Sequence, residues 1–192
     1  LAKSTKVVAY LLKGGKEYVC VMHVDKPVEE EKLRKTIQSF IGKIEQMPPV
    51  KSAVRRATRT KKVYYIDILE IEGQDVLFKV GCEAGTYIRK LCHDIGVKLK
   101  VGAHMAELRR TKVGPFDETT SANLYRLKDA FVFWEENGDE KELRNVLQPM
   151  ETAVSHLPKI WVLDSTVDSI CHGASLKVPG ISKLDDLIQP AQ

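Results

Sequence analysis

Gly81-Cys82-Glu83-Ala84-Gly85-Thr86-Tyr87-Ile88-Arg89-Lys90-Leu91 decides how this chain folds, because two periodicities meet inside it. Before it, Val76, Phe78, Val80 and Cys82 alternate with Leu77, Lys79 and Gly81, the two-residue repeat of a strand. After it, Ile88, Leu91, Cys92, Ile95 and Leu99 recur at helical spacing. The switch falls at Gly85-Thr86, so Arg89 lands in the first turn of a helix. The positive end of a helix dipole disfavours a cation. An arginine there is either a solvated surface residue or is held by an anion, and its neighbours in sequence have to decide.

Working outward, Val63 to Ile71 and Asp75 to Cys82 read as two antiparallel strands joined at Glu72-Gly73-Gln74. Gly102 to Phe116 predicts another strand, with Leu108 and Arg110 sharing a face with Ala106 while Glu107 and Arg109 point the other way. Lys16 to Val24 is β-rich and apolar on both faces, as expected of a strand in a sheet covered on both sides. Tyr18 stands near its start, and a tyrosine in a strand is ordinarily a packing residue.

Helices fill the intervals. Val7, Val8, Leu11 and Leu12 form the stripe of a short helix stopped by Gly14-Gly15. Pro27 and Glu29-Glu30-Glu31 open a second, with Leu33, Ile37 and Ile41 buried and Gly42 as its end. Pro48-Pro49 then forbids a helix, and an extended segment runs into a basic loop. Later, Leu124, Leu127, Phe131 and Trp134 mark a helix ended at Asn137-Gly138, and Asp139 to Leu147 marks a second, exposed one. From about Pro158 a new unit begins, with a strand at Lys159 to Leu163 and a short helix at Ser165 to Cys171. Its roughly 35 residues are too few for an independent core.

Composition excludes several classes. With 192 residues and ordinary apolar and charged fractions, the chain has the make-up of a soluble globular protein. No apolar run approaches the ~20 residues that cross a bilayer, and no signal-peptide pattern opens the chain, so a cytosolic protein without membrane contact is expected. The four cysteines, at 20, 82, 92 and 171, lack Cys-x-x-Cys spacing and read as reduced core thiols, and no metal is expected. Net charge is only +4, but from Lys51 to Lys62 there are six basic residues (Lys51, Arg55, Arg56, Arg59, Lys61, Lys62) and no acidic one. Six uncompensated cations repel one another unless phosphates share their space, which favours RNA or DNA contact over a merely solvated face.

The sequence has no phosphate-cradling glycine loop and no nucleophile elbow, and its five histidines are scattered. What remains is a basic, proline-stiffened loop, a positioned Arg89, an aromatic Tyr18, and Leu108 beside Arg109 and Arg110. Those parts suit a pocket for a flipped base: neutralised phosphates, a ring to stack on, and an apolar wall.

Lys16-Glu17-Tyr18, Pro48-Pro49-Val50-Lys51-Ser52-Ala53-Val54, Gly85-Thr86-Tyr87-Ile88-Arg89 and Gly102-Ala103-His104-Met105-Ala106-Glu107-Leu108-Arg109-Arg110-Thr111 resemble, in order and spacing, the motifs of TruB-type pseudouridine synthases. Arg55 to Tyr64 and Cys82 to Tyr87 are similar to the dyskerin-like branch, the RNA-guided catalytic subunit of box H/ACA ribonucleoproteins. His172-Gly173-Ala174 through Val178-Pro179-Gly180 resembles the opening of the PUA domain that follows in that branch. The resemblance implies an α+β fold, a mostly antiparallel mixed sheet flanked by helices. Residues 1–157 would be the catalytic domain and 158–192 the start of a small β-rich PUA domain.

It also implies a cofactor-free isomerisation of uridine to pseudouridine in rRNA or tRNA, with guide RNA, substrate RNA and small H/ACA accessory proteins as partners. Arg89 would pair with a nucleophilic aspartate, Tyr18 would stack on the target base, and Leu108 would wall the pocket. Lys51, Arg55, Arg56, Arg59, Lys61, Lys62, Arg109 and Arg110 would bind RNA, those of the basic loop on a mobile segment that closes over it. The compartment would be the cytoplasm in an archaeon and the nucleolus in a eukaryote. One departure stands out: the family's Gly-Thr-Leu-Asp motif is not in these residues, and Leu184-Asp185, after Ser182-Lys183, does not supply it. The abrupt start at Leu1 and the unfinished last unit read as truncation at both ends, and the chain by itself is expected to be inactive. Two other readings stay open: a stand-alone tRNA pseudouridine synthase and a non-catalytic RNA-binding scaffold.

Overall fold

A computed structural model describes residues 3–48 and 57–188, and the chain divides into two units, Leu1–Val154 and Ser155–Gln192. In the first, a 3-10 turn leads into helix α1 (Val8–Lys13), then β1 (Lys16–Val24), α2 (Glu30–Gln38), β2 (Gly42–Gln46), β3 (Arg59–Glu72) and β4 (Asp75–Cys82). After these come α3 (Ile88–Leu99), β5 (Ala103–Val113), β6 (Phe116–Asp117), α4 (Leu124–Asn137) and α5 (Lys141–Val146). The six strands form one sheet in the order β2-β3-β4-β1-β5-β6, every neighbouring pair antiparallel.

β1 holds a central place, and its alternation shows why. Cys20, Met22 and Val24 are buried on one face, where they meet Val76, Phe78 and Val80 of β4 and the apolar stripe of α3. Ile88, Leu91, Cys92, Ile95 and Leu99 of that stripe are all buried. Each fully buried Ile or Leu contributes about 1.5–3 kcal/mol, so this row alone accounts for much of the core's stability. Cys20 Sγ lies 3.7 Å from Cys92 Sγ, a hydrogen bond between two buried thiols in which either can donate. That contact and burial push the Cys92 thiol far up, and burial raises Cys82 to about 11, so both are inert packing groups at neutral pH.

The α3–β5 approach depends on Gly96. A Cβ added there would lie 2.1 Å from the Ala103 backbone nitrogen and 2.4 Å from the Gly102 carbonyl carbon. Only glycine lets the helix backbone come this close.

Four expectations need correction. Helix α2 stops at Gln38 rather than at Gly42, and Ile41 is 41% exposed. The chain leaves the helix through tight turns at Phe40 and Ile41, then pairs Gly42 with Val63 at a φ of 108° that suits glycine. The sheet is covered by α2 and α3 on one face, while Val19, Val21 and Leu77 on the other stay half-exposed among the described residues. Arg59, Lys61 and Lys62 belong not to a loop but to β3, where they pair with Gln46, Ile44 and Lys43. Cys171 is exposed, not a core thiol.

In the second unit, β7 (Ile160–Val162) and β8 (Ile181–Leu184) form an antiparallel ribbon joined through α6 (Asp164–Cys171). The Lys183 ammonium sits 4.9 Å over the Trp161 ring. Among the described residues no helix is long and apolar enough to cross a membrane.

Candidate active-site pocket

Where β1, β5 and the start of α3 meet, a pocket of about 270 Å³ is lined by Tyr18, Thr86, Tyr87, Ile88, Arg89, Met105 and Leu108. Each wall follows from local structure. Tyr18 lies on the same face of β1 as Cys20, two residues nearer the start of the strand. Leu108 pairs with Cys20 and Met105 with Met22, so both stand on that face of β5. The third wall is the first turn of α3, reached through Gly85 at a φ of 80° and a turn in which the Thr86 hydroxyl donates to the Glu83 carbonyl.

Gln46 fastens this turn. Its side chain is buried, with Oε1 accepting from the Tyr87 N–H at 2.9 Å and Nε2 donating to the Tyr87 carbonyl at 3.1 Å. The amide thereby ties the end of β2 to the residue before Ile88 and Arg89. Nothing in the sequence marks Gln46, because its role depends on a contact 41 residues away.

The polar groups of the pocket are unevenly partnered. Burial raises the Tyr18 phenol above its ordinary value, opposed by a hydrogen bond and a charge from Arg110, which pairs with Tyr18 across the sheet. Among the described residues the Arg89 side chain has neither an ion pair nor a hydrogen bond, and no carboxylate lines the pocket. The site therefore offers a cation without its anion, an aromatic ring with a polar tip, and an apolar floor of Ile88, Met105 and Leu108. Such a lining suits a flat, partly polar group that brings or meets a negative charge. Of three larger concavities among the described residues, one of about 420 Å³ lies beside Val19, Val21, Leu77 and Leu108; two, about 460 and 470 Å³, lie along α4 and α5 as open surface grooves, and Arg144 in the last is already paired to Glu140.

The other predicted residues separate. Arg59 and Lys62 are exposed on β3. Lys61 is turned inward, donating to the Ala84 carbonyl at 2.8 Å with its Nζ 3.3 Å from Glu83. Arg109 is exposed and held by Glu118 at 2.6 Å. Lys51, Arg55 and Arg56 lie outside the described residues. Met105 took the place on the pocket face that the sequence assigned to Ala106, because β5 is irregular there: Val21 pairs with Glu107 but Met22 with Met105, leaving Ala106 as the extra residue. No group of three or more His, Cys, Asp or Glu among the described residues is arranged to hold a metal.

Residues 1–88 match the family described as TruB family pseudouridylate synthase (N terminal domain), and residues 89–155 match the tRNA pseudouridylate synthase B C-terminal domain. The chain belongs to the TruB family. Among its relatives in that family, the probable tRNA pseudouridine synthase B of Methanosarcina acetivorans is 60% identical over 185 residues, 96% of this chain and 55% of that protein. Its counterpart in Methanopyrus kandleri is 57% identical over 190 residues, 99% of this chain and 56% of that protein. This TruB-family chain thus spans little more than half the length of the curated relatives it matches.

Solved structures agree on the fold. A crystal structure of a Cbf5-Nop10-Gar1 complex superimposes with a TM-score of 0.92 at 56% identity, over 97% of this chain and 57% of that one. An H/ACA RNP bound to a substrate RNA containing 2'-deoxyuridine gives a TM-score of 0.87 at 53% identity, over 97% and 56%. The α+β architecture, with an antiparallel six-stranded sheet flanked by helices, is the one expected from the sequence.

Proposed function

We propose that the chain carries the base-binding half of the active site of an RNA-guided pseudouridine synthase, the catalytic subunit of an H/ACA-type ribonucleoprotein. The observation that carries this reading is the convergence of Tyr18, Arg89 and Leu108 on one pocket in which the arginine has no partner among the described residues and no carboxylate is present. A uridine turned out of its strand enters with its ring against Tyr18, and Leu108, Met105 and Ile88 exclude water from it. Arg89 pairs with the nucleophilic aspartate that the family's chemistry requires, holding it at the sugar through a charge-assisted bond. These 192 residues supply that aspartate's counter-ion and the stacking surface, not the Gly-Thr-Leu-Asp motif itself. The glycosidic bond is cut, the base rotates, and C5 is joined to the sugar, all without a cofactor.

The guide-dependent branch is favoured by the likeness to Cbf5 and H/ACA structures, and those comparisons support guide RNA, substrate RNA and small accessory proteins as partners. The second unit is read as the start of a PUA domain, and the archaeal relatives support a cytoplasmic setting. A stand-alone tRNA pseudouridine synthase is the second reading, favoured by the names of the relatives.

The test uses the full-length protein with guide RNA and accessory proteins and scores pseudouridine in a target strand. Arg89→Ala should lower turnover at least about 100-fold and leave RNA affinity within about twofold, because a misplaced carboxylate is a transition-state defect. Tyr18→Leu should likewise spare binding and harm turnover. Wild-type turnover in Arg89→Ala would remove the assigned role. Activity on bare tRNA without guide would select the second reading, and RNA binding without any isomerisation would leave only a scaffold.

A further inference from the structure

A bulge decides which side chains of β5 reach the pocket. Lys16 and Glu17 pair with Val113 and Lys112, but Tyr18 pairs with Arg110, so Thr111 is an extra residue opposite the step from Glu17 to Tyr18. Strand side chains alternate with a period of two, and an offset of one residue exchanges the faces. Continued without the bulge, the register would set Tyr18 against Thr111 and Val21 against Leu108, turning Leu108 away from the pocket. With it, Leu108 stands opposite Cys20 and Arg110 opposite Tyr18.

A carboxylate on the far side of the sheet holds the bulge. Glu17 Oε1 accepts from the Thr111 hydroxyl at 2.7 Å, and Oε2 accepts from the Tyr65 hydroxyl at 2.5 Å. Tyr65 of β3 reaches Glu17 by lying across β4 at Gly81, where an added Cβ would sit 2.3 Å from its ring. β3 is irregular at the same level, since Val63 pairs with Cys82 but Tyr65 with Gly81. A crossbar thus runs from β3 over β4 to β1 and on to the bulged residue of β5. None of its three members lines the pocket. The two hydroxyls, Tyr65 first, hold the Glu17 carboxyl below its ordinary range, with Lys79 and Lys112 adding to the effect, so it stays an acceptor at neutral pH.

We infer that Glu17, Tyr65 and Thr111 are positioning residues: they pin the bulge that turns Leu108 and Arg110 toward Tyr18, and they act on the reaction only through those side chains. The kinetic part of this inference rests on the pseudouridine-synthase reading of the pocket.

The experiment uses the full-length enzyme with guide RNA, and follows Leu108 by methyl NMR alongside single-turnover kinetics. Thr111→Val keeps the shape and removes the hydroxyl. It should lower kcat at least about tenfold with KM and RNA affinity within about twofold, and shift the Leu108 methyl resonances, whereas Thr111→Ser returns both to near wild type. Tyr65→Phe tests the other end of the crossbar and should show the same split, more weakly. Wild-type kcat with unmoved Leu108 methyls in Thr111→Val overturns the inference, as does a loss that Thr111→Ser fails to restore or one that falls on KM. Should Thr111→Val not fold, Tyr65→Phe decides by the same readouts. If the wild-type enzyme makes no pseudouridine, the functional reading fails, and the Leu108 shift and its rescue still judge the positioning.

Discussion

Gly96→Ala would separate the helix that carries Arg89 from the strand that carries Leu108. The new Cβ would meet the Ala103 nitrogen at 2.1 Å, the Gly102 carbon at 2.4 Å and the Ala103 Cβ at 2.7 Å. Carbon contacts are comfortable at about 3.5 Å, so the contact to the Gly102 carbon alone asks α3 and β5 to part by roughly 1 Å. Two of the three atoms are backbone, which no rotamer change relieves. The Gly96 carbonyl also accepts from the N–H groups of Val101 and Gly102 at 3.3 and 3.2 Å, and the retreat stretches both bonds. Overpacking of this kind costs about 1–3 kcal/mol or more, against which alanine returns up to about 1 kcal/mol of helix propensity. A net loss of about 2 kcal/mol is therefore expected, read as a lowered urea midpoint at unchanged m-value.

The functional loss should be larger than the stability loss. A displacement on the 1 Å scale at a catalytic constellation lowers turnover by about 100-fold, and this one moves Arg89 relative to Leu108 and Met105. Single-turnover assays of the full-length enzyme, run well below the variant's melting temperature, separate the two effects. Val97→Ala, one residue along on the same helix and 60% exposed, serves as the control and should change little. If Gly96→Ala matches the control in both midpoint and turnover, the close approach of α3 and β5 is not what builds the pocket.

Three further outcomes are expected. The Tyr65 phenol is raised to about 12 by burial and by Glu17, so its neutral form stabilises the fold fully below its ordinary value of 10.0. That contribution is lost as the pH rises from 10 towards 12, and the gap in Tm between wild type and Tyr65→Phe should narrow over that range; a constant gap refutes the shift. In RNA binding, Arg59→Glu and Lys62→Glu should each flatten the salt dependence, by about 0.9 per lost phosphate on duplex and about 0.7 on single strands. Lys61→Gln should instead lower Tm and leave the salt slope alone, because its ammonium is held by Ala84 and Glu83; a changed slope would place Lys61 on RNA.

Local physics made much of this protein legible in its sequence. Alternation at Val76 to Cys82 and helical spacing from Ile88 to Leu99 are properties of neighbouring residues, so the strand, the turn and the helix of the opening stretch could be read directly, as could Arg89 in the first turn. Arg89 could be singled out because a cation is unusual in a helix's first turn, and Tyr18 and Leu108 because the motifs around them resemble those of the family. Other features depended on contacts that no local pattern records. Gln46 clamps Tyr87, and the Lys61 ammonium turns into the Glu83–Ala84 turn, through contacts made across the sheet. The face of β5 was misread at Ala106 because strict alternation assumes an unbroken register, and a bulge adds a residue without any mark in the sequence. Sequence alone singled out the candidate residues of the site; the tertiary structure decided which of them face the same space, since strand register and helix approach are set by partners tens of residues away.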